Sequence, residues 1–244
     1  MAEDENGPSE PHCVDFGRAR EHMVETQLRT RGIADSHILA AMAAVPREEF
    51  VPAGLRFSAY DDTPLAIGCG QTISQPFTVA YMCQALQLRG DEKVLEVGTG
   101  SGYGAAILSR VARTVHTVER IPTLAYQADD RLRRLGFENV FVHVANGSLG
   151  LPAASPFDAI LVTAGAKGLP RVYLDQLGKS GRVVIPLGRS APTCQTLYRF
   201  VLEQGTIVVE DLGGFAFVPL IGTYGWELLD DESRLEEGTF IVRR

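Results

Sequence analysis

The sequence predicts an α/β protein with a doubly wound, mostly parallel sheet, preceded by a helical lead and followed by an antiparallel strand pair. Compact runs rich in β-branched residues lie at Lys93–Val97, 114–118 and Val140–Val144, with stretches of helical pattern between them, and this alternation is typical of parallel sheets. A glycine-rich turn directly follows the first run, where such sheets turn from strand to helix. Two late alternating runs, at 196–201 and 207–210, are close enough in sequence to form a hairpin.

The part of the chain before the core is predicted to form a tail and a helical lead. Residues 1–17 are polar, acidic and without hydrophobic periodicity, so we expect a flexible tail. The apolar spacing over 19–44 indicates two amphipathic helices, with Gly32 as a stop and Asp35 as a cap. The stretch 51–70 is rich in Pro, Gly and Asp, and indicates a loop before helical periodicity returns.

The remaining chain continues the core and then changes pattern. Further strands are expected at Phe157–Val162 and 181–186, with a helix between them that ends near Leu177. We therefore predict a flexible tail at 1–17 and a single domain at 18–244, which comprises the lead at 18–90, the core at 91–190 and the antiparallel part at 191–244.

Composition narrows the class of protein. A chain of 244 residues with 45% hydrophobic and 22% charged residues has the balance of an ordinary globular domain. Its formal charge of −7 argues against a nucleic-acid partner, which calls for a clustered basic face. No run of apolar residues is long enough for a membrane helix. We expect a cytoplasmic monomer without nucleic-acid or membrane partners.

Metal and disulfide chemistry are not indicated by the cysteine and histidine positions. The acidic N-terminus lacks the basic and apolar regions of a signal peptide, which favours a reducing compartment. Neither a Cys-x-x-Cys pair nor a ligand-spaced histidine cluster is present, so we predict no metal site. The cysteines are Cys13, Cys69, Cys83 and Cys194.

The glycine-rich turn reads Gly-Thr-Gly-Ser-Gly-Tyr-Gly from Gly98. A dinucleotide-binding loop would have a glycine or alanine where Tyr103 stands, and the Gly-Lys-Ser/Thr of an ATP-binding loop is missing. Glu96 precedes the turn by two residues, and Glu119 ends the next strand. This pairing resembles S-adenosylmethionine-dependent methyltransferases, which implies S-adenosyl-L-methionine as cofactor and a Glu119 carboxylate that accepts hydrogen bonds from the ribose hydroxyls.

A second set of motifs carries a more specific resemblance. Upstream of the glycine turn stands Pro-Leu-Ala-Ile-Gly-Cys-Gly-Gln-Thr-Ile-Ser-Gln-Pro-Phe, at 64–77. This segment closely resembles the signature loop of protein-L-isoaspartate O-methyltransferases. The resemblance extends in order and in register from Met23 to Trp226, through the segments 23–33, 45–47, 156–160, 181–188 and 217–220.

The resemblance implies a fold of the methyltransferase (Rossmann-like) type and an S-adenosylmethionine-dependent protein-L-isoaspartate(D-aspartate) O-methyltransferase. Such an enzyme transfers a methyl group to the free carboxylate of L-isoaspartyl residues in damaged proteins or peptides, with D-aspartyl residues as a second substrate. Repair then proceeds through a succinimide. Because a carboxylate is already ionised at neutral pH, the enzyme has to orient it rather than deprotonate it.

The same resemblance implies the site residues. Ser74 is the catalytic candidate and orients the substrate carboxylate; the alternative is that its hydroxyl caps the helix beginning near Pro76. The cofactor candidates are Gln71, Thr72, Ile73, Glu96, Gly98, Thr99, Gly100, Ser101, Gly102, Glu119, Asn146 and Gly147. The substrate candidates are Ser74, Phe77, Val218, Pro219 and Leu220.

Four positions depart from the family pattern. Asn146 stands where the family has an aspartate, Cys69 where many members have histidine, and Ala216 where members often have arginine, while Phe77 is a mild change. Two alternatives stay open: a methyltransferase of the same fold acting on aspartate in one dedicated peptide, and a cofactor-binding regulator without turnover.

Overall fold

The computed structural model describes residues 15–188, 195–226 and 241–243. Residues 1–14 of the predicted tail therefore lie outside the described residues, whereas Phe16 and Gly17 form the start of the first helix. Within the described ranges, no helix combines the length and apolar character needed to span a membrane.

The helices of the lead begin and end where local signals place them. The first helix runs through one π turn and one 3₁₀ turn and stops at Gly32, whose φ of 94° suits glycine. The Asp35 side chain caps the second helix by accepting hydrogen bonds from the backbone N–H groups of His37 and Ile38. Both signals predicted from the sequence are confirmed. The helical segments are α1 (Phe16–Met23), a π turn (Val24–Leu28), 3₁₀ turns (Arg29–Arg31, Arg47–Phe50, Ala53–Ser58, Gly147–Leu149, Pro152–Ala154), α2 (Ser36–Ala44), α3 (Pro76–Ala85), α4 (Tyr103–Ser109), α5 (Pro122–Arg134) and α6 (Arg171–Asp175).

The predicted doubly wound sheet is confirmed. Eight strands of the described chain form one sheet in the order β10-β9-β8-β7-β6-β3-β4-β5. Strands β3 to β7 are parallel, β8 and β9 form the expected antiparallel pair, and β10 lies parallel to β9. The strands are β1 (Leu65–Gly68), β2 (Gln71–Ile73), β3 (Lys93–Val97), β4 (Thr114–Glu119), β5 (Val140–Val144), β6 (Phe157–Val162), β7 (Leu177–Leu187), β8 (Gln195–Glu203), β9 (Thr206–Phe215) and β10 (Ile241–Arg243).

The lead contains more regular structure than its sequence indicates. The stretch 51–70, expected as a loop, holds a 3₁₀ turn and strand β1, which pairs antiparallel with β2. Period-2 alternation over so few residues is too short a signal to identify a strand of this kind. The hairpin matters because β2 leads directly into the segment that carries Ser74.

Buried side chains cover both faces of the sheet. One cluster joins the lead and α4 to one face, and a second packs α6 against the other face. Nearly all residues of β3 and β6 are buried, as expected for central strands covered on both faces. The carboxyl ends of β3, β4 and β6 meet at one edge of the sheet, which is where open α/β folds bind ligands.

Candidate functional site

A cavity of about 440 Å³ opens at the carboxyl ends of β3, β4 and β6. This volume lies within the range of small-molecule sites. Most of the residues predicted for the site line it, and these are Gln71, Thr72, Ile73, Ser74, Glu96, Gly98, Thr99, Gly100, Ser101, Glu119, Gly147, Val218, Pro219 and Leu220. Three predicted residues lie outside the lining: Gly102, Asn146 and Phe77.

The glycine turn follows β3 closely because its backbone bonds to the neighbouring strand. The N–H of Gly98 donates to the carbonyl of Val118 at 2.9 Å. A Cβ at Gly98 would lie 2.3 Å from Thr163 Oγ1, and the φ of 103° is unfavourable for other residues. The turn therefore requires glycine there for packing as well as for conformation. Gly102 is the N-cap residue of α4, with a φ of 91°, so its role in the structure is to turn the chain into the helix.

Glu119 anchors the glycine turn to the end of β4. Its two carboxylate oxygens accept hydrogen bonds from the backbone N–H groups of Gly100 and Ile121, each at 3.0 Å. The residue is 7% exposed and lines the cavity. Each oxygen has two lone pairs, so the carboxylate keeps capacity for further hydroxyl donors.

Glu96 is a buried acid at the base of the cavity. It is 1% exposed, and Thr117 Oγ1 donates to its Oε2 at 2.6 Å. Burial raises the pKa of Glu96 to about 8, with the Thr117 hydrogen bond opposing the shift and the negative charge of Glu119 adding to it. Gly104 leaves room for this carboxyl, since a Cβ there would lie 2.2 Å from Glu96 Oε1.

The raised pKa of Glu96 predicts a pH-dependent cost in stability. Between about pH 5 and pH 8 the folded chain holds a proton on Glu96 that the unfolded chain has released, so stability falls as pH rises through this window. Replacing the acid by its neutral isostere, Glu96→Gln, removes this dependence. We expect the melting temperature of Glu96→Gln without cofactor to exceed that of the wild type by a margin that grows from pH 5 to pH 8 and is constant above. A margin independent of pH would show that Glu96 ionises normally.

Asn146 has a structural environment that its sequence position did not reveal. Its Oδ1 accepts hydrogen bonds from the N–H and the hydroxyl of Ser148, at 3.1 and 2.8 Å, and so caps the 3₁₀ turn that begins at Gly147. Its Nδ2 donates to Thr223 Oγ1 at 3.2 Å. The amide therefore ties the turn after β5 to the segment that follows Leu220, and both neighbouring segments line the cavity.

Phe77 packs on the outside of the serine segment. The Arg31 guanidinium lies 3.7 Å from the centre of the Phe77 ring, and Tyr81 stacks on the same ring at 5.6 Å. Phe77 is partly buried. Cys69, another departure from the family pattern, is exposed in the β1–β2 turn with a φ of 52°, a backbone conformation that is uncommon outside glycine.

Several residues of the site were missed by the sequence analysis. Thr163 and Ala164 follow β6 and line the cavity; their position at a strand end next to the glycine turn was the signal that could have identified them. The backbone of Gly165 bonds to Val218 at 2.8 Å and to Leu220 at 2.7 Å. These bonds bring the predicted substrate segment, which is distant in sequence, to the edge of the glycine turn.

The serine segment joins β2 to α3. Ser74 lines the cavity, and its backbone carbonyl accepts a hydrogen bond from a buried arginine. The first turn of α3 is capped from elsewhere, since Gln75 is the N-cap residue without a side-chain capping bond and the N–H of Phe77 donates to Asp62 Oδ1 at 3.4 Å.

Comparison with known proteins places the chain in a family. Residues 18–225 match the protein-L-isoaspartate(D-aspartate) O-methyltransferase family. The chain belongs to this family. It is 48% identical to protein-L-isoaspartate O-methyltransferase 1 of Syntrophobacter fumaroxidans, over 88% of this chain and 99% of that one. It is 53% identical to protein-L-isoaspartate O-methyltransferase 2 of Pelobacter propionicus, over 85% and 92% of the two chains.

Solved structures of protein-L-isoaspartate O-methyltransferases share the fold. One superposes with a TM-score of 0.75 at 31% identity, covering 84% of this chain and 67% of the other. A second, described as a beta-aspartate methyltransferase from Plasmodium falciparum in complex with S-adenosyl-L-homocysteine, has a TM-score of 0.71 at 26% identity and covers 83% and 98%. The resemblance inferred from the sequence motifs is therefore confirmed.

Proposed function

We propose that this protein transfers a methyl group from S-adenosyl-L-methionine to the free carboxylate of L-isoaspartyl residues in damaged proteins or peptides, with D-aspartyl residues as a second substrate. The observation that carries the proposal is a single cavity lined by the glycine turn, by Glu119 and by the Ser74 segment. A cofactor site and a candidate carboxylate site are thus adjacent. The resulting ester would cyclise to a succinimide after release and so begin repair.

The cavity has donors and acceptors of the right kind for the cofactor. Glu119 offers a carboxylate with spare acceptor capacity, and the glycine turn exposes backbone close to the cavity. Apolar surface in the cavity lining comes from Ile121, Val97 and Val118. When bound, S-adenosyl-L-methionine supplies the electrophilic methyl group.

Catalysis by these residues is a matter of orientation. The substrate carboxylate has an ordinary pKa near 4 and is ionised at neutral pH, so no general base is required. In the proposal, the Ser74 hydroxyl donates to one carboxylate oxygen and leaves the other free to react. Orientation of two reacting groups can lower a barrier by roughly 7–11 kcal/mol in the ideal case.

The wider setting belongs to the same proposal. We place the protein in the cytoplasm as a monomeric enzyme of one domain over 18–244, without nucleic-acid or membrane partners. The formal charge of −7 argues against a nucleic-acid partner.

A comparison of two peptides tests the function. We expect methylation of a peptide containing one L-isoaspartyl residue and no methylation of its isomer with normal aspartate, measured as S-adenosylhomocysteine formed. Preference for the aspartyl peptide would favour the dedicated-peptide alternative. Cofactor binding in calorimetry without turnover on any peptide would favour the regulator and overturn the proposal.

A further inference from the structure

Arg47 is a fully buried arginine that contacts the serine segment. It is 0% exposed and begins the 3₁₀ turn that follows α2. Its Nη2 donates to the backbone carbonyl of Ser74 at 2.8 Å, and its Nε donates to the carbonyl of Ala59 at 2.6 Å. The guanidinium carbon also lies 4.9 Å from the centre of the Tyr103 ring. One side chain thus connects three separate parts of the chain at the base of the site.

The charge of Arg47 is not neutralised by direct contact. Among the described residues, no carboxylate lies within 4.0 Å of its guanidinium. Burial lowers the pKa of Arg47, with Tyr103 partly opposing the shift, but a guanidinium stays protonated in proteins. Burying an unpaired charge is costly. A purely apolar side chain would fill this space at lower cost, so the arginine calls for a role beyond packing.

A second contact holds the same segment from the lead. Asp62 accepts a hydrogen bond from the Gln75 side chain at 3.3 Å and from the N–H of Phe77 at 3.4 Å. Arg47 therefore holds Ser74, while Asp62 holds Gln75 and Phe77 just after it. Of these two, Arg47 is the one that bonds to Ser74 itself.

We propose that Arg47 is a positioning residue, which fixes the Ser74 backbone so that the hydroxyl meets the substrate carboxylate in a productive orientation. The proposal rests on the proposed function, because it assigns Arg47 to the same carboxylate step. Arg47 lies outside the cavity lining and acts through Ser74.

A double-mutant cycle on an isoaspartyl peptide tests the coupling. Arg47→Lys keeps the charge but cannot reproduce both hydrogen bonds, and we expect kcat per cofactor-binding site to fall roughly tenfold. In a Ser74→Ala background the same change should lower kcat by less than about twofold, because the effects of residues that act through one another are not additive. The matched control is Arg20→Lys. Arg20 is paired with Glu48 at 3.0 Å and Tyr60 at 2.7 Å in the same lead, and its effect on kcat should be small and additive.

A merely structural role gives different results. Arg47→Lys would then lower the melting temperature without changing kcat per cofactor-binding site, or the Arg47 and Ser74 losses would multiply, and either outcome overturns the proposal. If Arg47→Lys does not fold, Arg47→Met removes the buried charge while filling the space, and the same cycle applies.

Amide hydrogen exchange separates this proposal from the proposed function. Exchange of peptides covering 71–77 should be faster in Arg47→Lys than in Arg20→Lys and in the wild type, whether or not the peptide substrate is turned over. Wild-type protein without turnover would refute the proposed function, and faster exchange at 71–77 in Arg47→Lys would then still show that Arg47 holds the Ser74 segment. Unchanged exchange at 71–77 would refute the positioning role of Arg47.

Discussion

Ser74→Ala is expected to lower turnover on an isoaspartyl peptide by roughly tenfold to a hundredfold, because one orienting hydrogen bond worth about 1–3 kcal/mol is lost. The hydroxyl is assigned to the substrate, so the dissociation constant of S-adenosyl-L-methionine should remain unchanged. Steady-state kinetics on the peptide and calorimetry with the cofactor measure the two quantities separately.

The structure argues against the alternative in which the Ser74 hydroxyl caps α3. The N-cap of α3 is Gln75, and Asp62 accepts the hydrogen bond of the Phe77 N–H, so removing the Ser74 hydroxyl should leave the helix start intact. Ser109→Ala is the matched control, since that hydroxyl bonds within α4 to the carbonyl of Ala106 at 2.7 Å. Wild-type turnover together with a lowered melting temperature in Ser74→Ala would refute the catalytic assignment.

Glu119→Ala is expected to weaken cofactor binding by roughly tenfold or more, because hydrogen bonds to a charged acceptor are worth about 1.5–3 kcal/mol. Two effects contribute. The ribose hydroxyls lose their proposed acceptor, and the glycine turn loses its anchor to the Gly100 N–H. Calorimetric titration with S-adenosyl-L-methionine measures the loss.

Glu119→Gln serves as the control that separates these effects. The glutamine oxygen can still accept from the Gly100 N–H, while the charge and the acceptor for the Ile121 N–H are lost, so its loss of affinity should be smaller than that of the alanine variant. A folded Glu119→Ala protein with wild-type affinity would remove Glu119 from the cofactor site.

The glycine turn and its contact with Glu119, which form the proposed cofactor half of the site, could be predicted because they are local in sequence. The turn from β3 to α4 needs glycines within seven consecutive residues, and Glu119 ends the very next strand. Consecutive parallel strands are usually neighbours in such a sheet, and β4 does pair with β3, so Glu119 at the end of β4 meets the glycine turn, as its bond to the Gly100 N–H shows. The terminal hairpin was predictable for the same reason, because its two strands are adjacent in the chain.

The surroundings of the site depended on contacts between distant segments. Arg47 meets Ser74 across 27 residues, Asn146 meets Thr223 across 77 residues, and Gly165 holds the segment that begins at Val218. No periodicity or local signal encodes which segments will be adjacent, since such contacts follow from how the lead and the C-terminal segments pack on the finished sheet.

The sequence by itself determined the α/β class, the parallel core, the glycine turn and, through its motifs, membership of the protein-L-isoaspartate O-methyltransferase family. Only the tertiary structure decided the ionisation of Glu96, whose pKa is raised to about 8 because the finished core excludes water from it. It also decided the capping role of Asn146 and the buried contact of Arg47 with Ser74. Burial and charge environment are properties of packed neighbours, and those neighbours are chosen by the fold as a whole.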